Sequence, residues 1–177
     1  MESFYAHEAP LEADWRRILR ERLPLFGHRN WIVVADAAYP AQASPGVETV
    51  VAEADPATVL EEVLAAVGGS HHVRPVVYTD RELRFVAEDD APGVDLRRRR
   101  VAELTAPFEC RDLPHEEIVS LLDRAGAAFR VLIVKTGLAV PYTSVFLYLD
   151  CAYWDAARER KLRRAAASGA QTAASEA

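Results

Sequence analysis

The feature that most constrains the fold is an unbroken apolar run over residues 31–35, Trp-Ile-Val-Val-Ala. A continuous run dominated by Ile and Val is typical of a strand whose two faces are both buried in a sheet. His28 precedes this run and Asp36 follows it directly. A carboxylate after a buried strand lies where open α/β sheets place their ligand sites, at the carboxyl edge. His28 is expected at the opposite end of the strand, so a site that contains both residues requires a curled loop or a second subunit.

Helical and strand patterns alternate along the rest of the chain, which is typical of a layered α/β domain. The first helix is predicted over 11–23, ending at Pro24, and a second helix opens at Asp55-Pro56 and ends at Gly68-Gly69. Further strands are predicted over 47–52, 73–78, 108–111, 129–135 and 143–149. Further helices are predicted over 94–104, from 112 onward and over 152–164. The segment 83–86 is predicted to extend the strand before it or to pair with it. We therefore predict one α/β domain over residues 1–164, with a mostly parallel or mixed central sheet flanked by helices, and a disordered tail over 165–177.

Size and charge exclude several classes of function. A chain of 177 residues, half of them apolar, can bury the core of a single domain. The formal net charge of −6 argues against a nucleic-acid-binding protein, which would show a basic face. The apolar runs are too short to span a membrane, and the first residues lack a secretory pattern. Cys110 and Cys151 have no paired spacing and are expected to be buried or half-buried thiols, so we expect a cytoplasmic protein.

Sequence motifs for common cofactor and hydrolase chemistry are absent. No glycine-rich dinucleotide or phosphate loop, serine nucleophile elbow or zinc-peptidase helix occurs in the chain, so we expect no cofactor. His71-His72 is either half of a metal site or a polar entry to a strand, and the strand entry is favoured because no other His or Cys has a suitable spacing. The run Arg97–Arg100 either grips phosphates or forms a solvated or intersubunit helix face, and the acidic balance of the chain favours the helix face.

Four further residues are candidates for chemistry beside Asp36. His28 lies in a tight turn, and His115 lies in the first turn of its helix, on the face that points inward. Tyr142 and Ser144 are two residues apart on a predicted strand, so both side chains project from the same face. Taken singly, each has an ordinary structural explanation: an inward His is often a hydrogen-bonded core residue, a strand Tyr often packs, and Asp often caps a turn.

Two blocks of the sequence resemble the D-ribose pyranase and L-fucose mutarotase family, here called the RbsD/FucU family. The first block is Gly27-His28, a polar pair, the apolar strand and the segment 36–40, Asp-Ala-Ala-Tyr-Pro. The family opens in a similar way, with Gly-His, an apolar strand and an Asp-Ala segment that ends in Pro. The second block is a helix, an apolar strand, Thr136-Gly137 and then Tyr142, which is similar to the closing helix, strand, Thr-Gly-Glu turn and Tyr-x-Asn strand of the family. The resemblance covers about 11–41 and 115–149.

The resemblance implies a small α/β domain that forms ring-shaped homo-oligomers with sites where subunits meet. It implies an isomerase of carbohydrate metabolism that interconverts ring forms or anomers of a ribose-like or fucose-like monosaccharide without a cofactor. By position, His28 and Asp36 match the catalytic histidine and its nearby acid, and Tyr142 matches the strand tyrosine. His115 corresponds to a second site histidine of the ribose-type branch, and Ser144 lines the pocket.

This sequence departs from the family pattern at three positions and at its end. Ser144 stands where the family has Asn, Leu138 where it has Glu, and Asn30 where it often has Asp. The chain also extends roughly two dozen residues past the usual end. Three alternatives to a mutarotase follow: a sugar-binding or regulatory module without catalysis, a related sugar isomerase or epimerase, and a purely structural oligomer.

Overall fold

A computed structural model describes the backbone of residues 14–175 and the side chains through residue 167. The first residues of the predicted first helix, 11–13, lie outside this range. The strands are β1 (Trp31–Ala35), β2 (Val47–Ala52), β3 (Val73–Asp80), β4 (Glu109–Leu113), β5 (Val131–Thr136) and β6 (Val145–Cys151). The helices are α1 (Trp15–Arg22), α2 (Pro56–Gly68), α3 (Val94–Thr105), α4 (His115–Ala128) and α5 (Ala156–Ser175), with short 3₁₀ turns at Leu23–Leu25 and Arg81–Phe85.

The strands form one six-stranded sheet in the order β2-β5-β1-β6-β3-β4. Strand β6 is antiparallel to both of its neighbours, β1 and β3, and every other pair is parallel. The predicted α/β fold class is therefore confirmed, and the sheet is mixed. Because β6 runs against its neighbours, its beginning lies beside the carboxyl ends of β1 and β3.

The two faces of the sheet bury two separate cores, and β1 contributes to both. Ile32 and Val34 belong to the core packed under α1 and α2, and Trp31, Val33 and Ala35 belong to the core packed under α4. All five residues are buried, as the apolar run predicted. The helix α2 also begins as its sequence indicates, with Asp55 accepting a hydrogen bond from the Ala57 amide. The helix α4 begins at His115, three residues after its predicted start, because Asp112 and Leu113 pair in β4.

Four predictions about local structure are wrong. The segment 83–86 does not extend or pair with a strand, since most of it lies in the 3₁₀ turn after β3. Tyr142 and Ser144 precede β6 rather than lying on it, so the period-two argument for a shared face does not apply. Cys110 is exposed rather than buried. The last helix does not end near Arg164 but continues to Ser175, because the alanine-rich segment after residue 164 has high helix propensity.

One glycine marks a close approach between the start of β2 and the end of α4. A Cβ atom on Gly46 would lie 2.1 Å from the Phe129 carbonyl oxygen and 2.4 Å from the Gly126 carbonyl oxygen. Both atoms belong to the backbone, so neither can rotate away. The Gly46 amide also donates to the Gly126 oxygen at 3.1 Å, which holds the two segments at this distance.

Gly46→Ala should therefore destabilise the fold by about 1–3 kcal/mol, since the added methyl group forces the backbone of α4 away from β2. Gly68→Ala is the matched control, because a Cβ atom on Gly68 meets nothing within 4 Å. Urea unfolding of both variants measures the difference. Equal free energies of unfolding for the two variants would contradict the close approach.

Candidate functional site

The sheet brings three polar side chains together at the carboxyl ends of β1 and β3. Asp36 follows β1, Asp80 is the last residue of β3, and Ser144 directly precedes β6, which lies between them. The register confirms this alignment, because Val145 pairs with Val34 on one side and with Thr79 on the other. We call this region, with His115 and Tyr142, the carboxyl edge.

Asp36 and Ser144 form a reciprocal pair. The Ser144 hydroxyl donates to Oδ2 of Asp36 at 2.7 Å and accepts a hydrogen bond from the Asp36 amide at 3.0 Å. The other carboxylate oxygen of Asp36 accepts from the Ala38 amide at 2.9 Å. Asp36 is thus fixed in orientation, half-buried, and able to accept further hydrogen bonds on its remaining lone pairs.

Asp80 and His115 form a second pair at the same edge. Nδ1 of His115 lies 3.1 Å from Oδ1 of Asp80, and the Asp80 side chain is fully buried. Oδ2 of Asp80 has no hydrogen-bond partner among the described residues. Glu82 completes the arrangement by accepting from the His115 amide at the first turn of α4, at 3.1 Å. A buried carboxylate oxygen without a partner is costly, so this pair is unusual for a purely structural site.

Burial raises the pKa of Asp80 to about 6, while the hydrogen bond to His115 and the charge of that ring act in the opposite direction. The carboxylates of Glu82 and Asp36 raise the pKa of Asp80 further. A carboxyl group with a raised pKa, next to a histidine and at the edge of a sheet, is typical of sites that move protons near neutral pH.

Tyr142 borders this pair in a strained backbone conformation. Its ring lies edge-on to the His115 ring, with centroids 5.5 Å apart. Its φ angle of 59° is in the left-handed region, which bulky residues rarely adopt. Strain of this kind persists where the surroundings fix the residue, and it is concentrated at functional sites.

His28 lies at the opposite, amino edge of the sheet. The turn before β1 is closed by Asn30, whose side chain accepts from the Gly27 amide at 2.8 Å and donates to the Arg130 carbonyl at 3.0 Å. Arg29 adopts a φ of 76°, and the turn leaves His28 exposed. The length of β1 separates His28 from Asp36 by roughly 16 Å, at about 3.3 Å per residue. Within one chain, therefore, His28 does not join the carboxyl edge.

The remaining polar clusters noted in the sequence have structural roles. His72 contacts the Phe26 carbonyl oxygen at 2.9 Å, and the described residues contain no group of three or more potential metal ligands. Arg97 forms a bidentate pair with Asp55, and Arg98 donates to the Leu83 carbonyl oxygen at 2.9 Å, so the arginine run ties α3 to its neighbours.

No helix within residues 14–175 is long and apolar enough to cross a membrane.

Sequence reasoning missed Asp80 and Glu82. The rule that identified Asp36, an acid directly after a buried strand, applies equally to Asp80. The predicted strand ends at Tyr78, two residues before the observed end of β3, so Asp80 does not directly follow it in the prediction. The contact of Glu82 with His115 joins residues far apart in sequence, and no local pattern signals it.

The raised pKa of Asp80 predicts a pH-dependent effect on stability. Between the unfolded value near 4 and the folded value of about 6, the native state binds more protons, so its stability falls as pH rises. Asp80→Asn removes this loss, and its free energy of unfolding relative to wild type should rise by up to about 3 kcal/mol from pH 4 to pH 7.

Asp55→Asn is a control of opposite sign for this measurement. The hydrogen bond from Arg97 lowers the pKa of Asp55, so that carboxylate contributes stability at neutral pH, and the contribution is lost as pH falls below about 4. Urea unfolding from about pH 3 to pH 7 should show the stability of Asp80→Asn relative to wild type rising with pH above about pH 4, and that of Asp55→Asn falling with pH only below about pH 4. Parallel curves for Asp80→Asn and wild type would contradict the assigned environment.

Comparison with known proteins identifies the fold. No protein-family model and no curated protein matches the sequence. Among solved structures, Bacillus subtilis RbsD complexed with D-ribose is similar, with 20% identity and a TM-score of 0.51 over 85% of this chain and 98% of that chain. The fucose mutarotase of Streptococcus pneumoniae in complex with L-fucose shares 19% identity, with a TM-score of 0.50 over 81% and 97%. FucU from Bifidobacterium longum shares 17%, with a TM-score of 0.51 over 75% and 92%. The chain therefore has the RbsD/FucU fold, as the resemblance of its two sequence blocks implied.

Proposed function

We propose that this protein is a cofactor-free mutarotase or pyranase that opens and recloses the ring of a monosaccharide. The observation that carries the proposal is the carboxyl edge, where Asp80 and His115 form an acid–base pair beside the fixed Asp36 carboxylate. Similar structures complexed with D-ribose and L-fucose support a ribose-like or fucose-like sugar as the ligand.

The reaction requires two proton transfers and no redox step. A base removes the proton from the anomeric hydroxyl, the bond between the anomeric carbon and the ring oxygen breaks, and an acid protonates that oxygen. Rotation about the bond between the first two carbons and reclosure give the other anomer or ring size. Positioned acid–base groups contribute about 10²–10⁴-fold to such steps.

At neutral pH an ionised Asp80 favours the tautomer of His115 that carries its proton on Nδ1. The Nε2 atom is then free to accept a proton, and the partly exposed ring can reach a bound sugar. Asp80 thereby acts as a positioning residue for His115, and Tyr142 is the second proton donor or a hydroxyl anchor. Asp36 and Ser144 bind sugar hydroxyl groups or orient a histidine.

His28 enters the proposed site from a second copy of the chain. Because it lies at the amino edge, it meets Asp36 only where the amino edge of one subunit faces the carboxyl edge of another. An interface between two different surfaces is heterologous, and such interfaces close into rings when the rotation between subunits allows it. The proposed site therefore requires a ring-shaped homo-oligomer, with His28 as the main proton-transfer group.

A sugar-binding module without catalysis is the second candidate. Both carboxylate oxygens of Asp36 already accept hydrogen bonds from their own chain, which favours a fixed binding role over proton transfer. Leu138, at the position where the family has Glu, packs against the apolar cluster of Leu83, Ala91, Val94 and Val140 and supplies no polar group. This candidate predicts sugar binding without faster anomer exchange.

Exchange NMR on D-ribose and L-fucose should show faster interconversion of anomers in the presence of the protein. His28→Ala should reduce the enhancement by about 10²–10⁴-fold if His28 transfers a proton. His71→Ala is the matched control, since His71 is also exposed but lies outside the proposed site. Binding without any enhancement in wild type would favour the binding module instead.

Mixed oligomers test whether the site is shared between subunits. His28→Ala and His115→Ala chains, each inactive alone, should recover about a quarter of the wild-type rate when assembled together in equal amounts, because some interfaces then combine an intact amino edge with an intact carboxyl edge. Mixing His28→Ala with His28→Gln is the control and should recover nothing. No recovery in the first mixture would place His28 outside the shared site.

A further inference from the structure

A groove at the amino edge surrounds His28 with aromatic and charged side chains. We call it the amino-edge groove. Its volume of about 490 Å³ falls within the range of about 300–1,000 Å³ that is typical of small-molecule sites. The residues that line it and enter the argument are His28, Arg74, Asp150, Tyr153, Trp154 and Glu159.

Two adjacent aromatic side chains form the rim of this groove. Tyr153 is 67% exposed and Trp154 is 41% exposed, although both are large and partly apolar. The Trp154 indole is held in place by a hydrogen bond from Nε1 to Glu159 at 2.8 Å. Arg74 and Asp150, paired across β3 and β6, form the floor. Fixed aromatic faces beside hydrogen-bonding charged groups are suited to the alternating C–H and hydroxyl surfaces of a sugar.

The helix α5 continues from this rim and is strongly basic. It contains five basic residues and one acidic residue, in a chain whose formal net charge is −6. From Ala156 to residue 167 its side chains are exposed, except for the half-buried Glu159. All five basic residues lie between Arg158 and Arg164, in the first half of the helix, so the positive charge of α5 is concentrated beside the groove.

The carboxyl edge carries mainly acidic side chains, which are complementary in charge to the basic helix α5. Around Asp36 and Asp80 lie further acidic residues, with Glu116 and Glu117 exposed in the first turn of α4 and the acidic segment 88–90 exposed after the 3₁₀ turn. Arg81 and Arg84 in that turn are exposed too, but both pair with Asp112, so acidic groups predominate at this edge. The same edge carries an exposed aromatic residue, Phe85, at the end of that turn. A basic helix with two exposed aromatic residues at one edge thus matches an acidic surface with an exposed aromatic residue at the other.

We infer that the amino-edge groove and α5 dock onto the carboxyl edge of a second copy of this chain, and that Tyr153 and Trp154 close the sugar site of that copy. The inference rests on the proposed function for the identity of the ligand. It adds the surface that joins the copies and two residues that contact the sugar from the partner side, both in the part of the chain that follows β6.

Charge reversal on α5 tests the docking surface. Arg160→Glu/Lys161→Glu in the full chain should raise the dissociation constant of the oligomer by about tenfold or more, measured by sedimentation velocity over a range of concentrations. Arg17→Glu/Arg124→Glu changes the charge equally on α1 and α4, at exposed positions outside both surfaces, and should leave the dissociation constant near the wild-type value. A monomeric wild type, or equal dissociation constants for the two variants, would overturn the docking surface.

Removal of the aromatic side chain tests the role of Trp154 at the sugar. Trp154→Ala should raise the KM for anomer exchange by about tenfold with a smaller change in kcat, and Trp154→Phe should restore most of the affinity. Phe85→Ala should weaken assembly, whereas Val51→Ala, at an exposed position on the edge strand β2, should not. An unchanged KM in an intact Trp154→Ala oligomer would show that Trp154 does not contact the sugar.

Absence of anomer exchange in wild type, with assembly still sensitive to charge reversal on α5, would instead refute the proposed function and leave the docking surface supported.

Discussion

The antiparallel insertion of β6 between β1 and β3 is the constraint on which the carboxyl edge depends. In a fully parallel sheet the beginning of a strand lies at the edge opposite to its neighbours' ends. Here the reversed strand places Ser144 between Asp36 and the end of β3, and it brings the preceding turn with Tyr142 to the same edge. Three hydrogen-bonded strands fix these positions, so the polar groups are held by the most rigid part of the molecule.

The same topology explains why one chain holds only part of the proposed site. The buried strand β1 separates His28 from Asp36, and hydrogen bonds hold each segment in place, through the Asn30 turn at His28 and through Ser144 at Asp36. Neither segment can reach the other without unfolding the sheet. A shared site then requires that unlike edges of two copies meet. The proposed assembly and the proposed catalysis therefore rest on the same geometric observation, the separation of His28 from Asp36.

The burial of Asp80 changes the protonation of its carboxyl group and lowers the stability of the fold. Its carboxyl group is buried at the end of β3 with one oxygen unpartnered, and its pKa is raised as a result. A protein selected for stability alone would place an apolar residue there. The histidine beside it and the strained Tyr142 add to the cost, which is consistent with a site in which His115 moves protons.

The sequence by itself determined the strands, most of the helices and the edge on which Asp36 lies, because these follow from the local spacing of apolar residues and from capping side chains. The two blocks around His28 and Tyr142 also indicated the fold. Only the tertiary structure decided that Asp80 pairs with His115 and that Ser144 bonds Asp36, since these residues are far apart in the chain and strand order brings them together. It also decided that the basic side chains of α5 are exposed, because burial depends on neighbours that local periodicity does not specify.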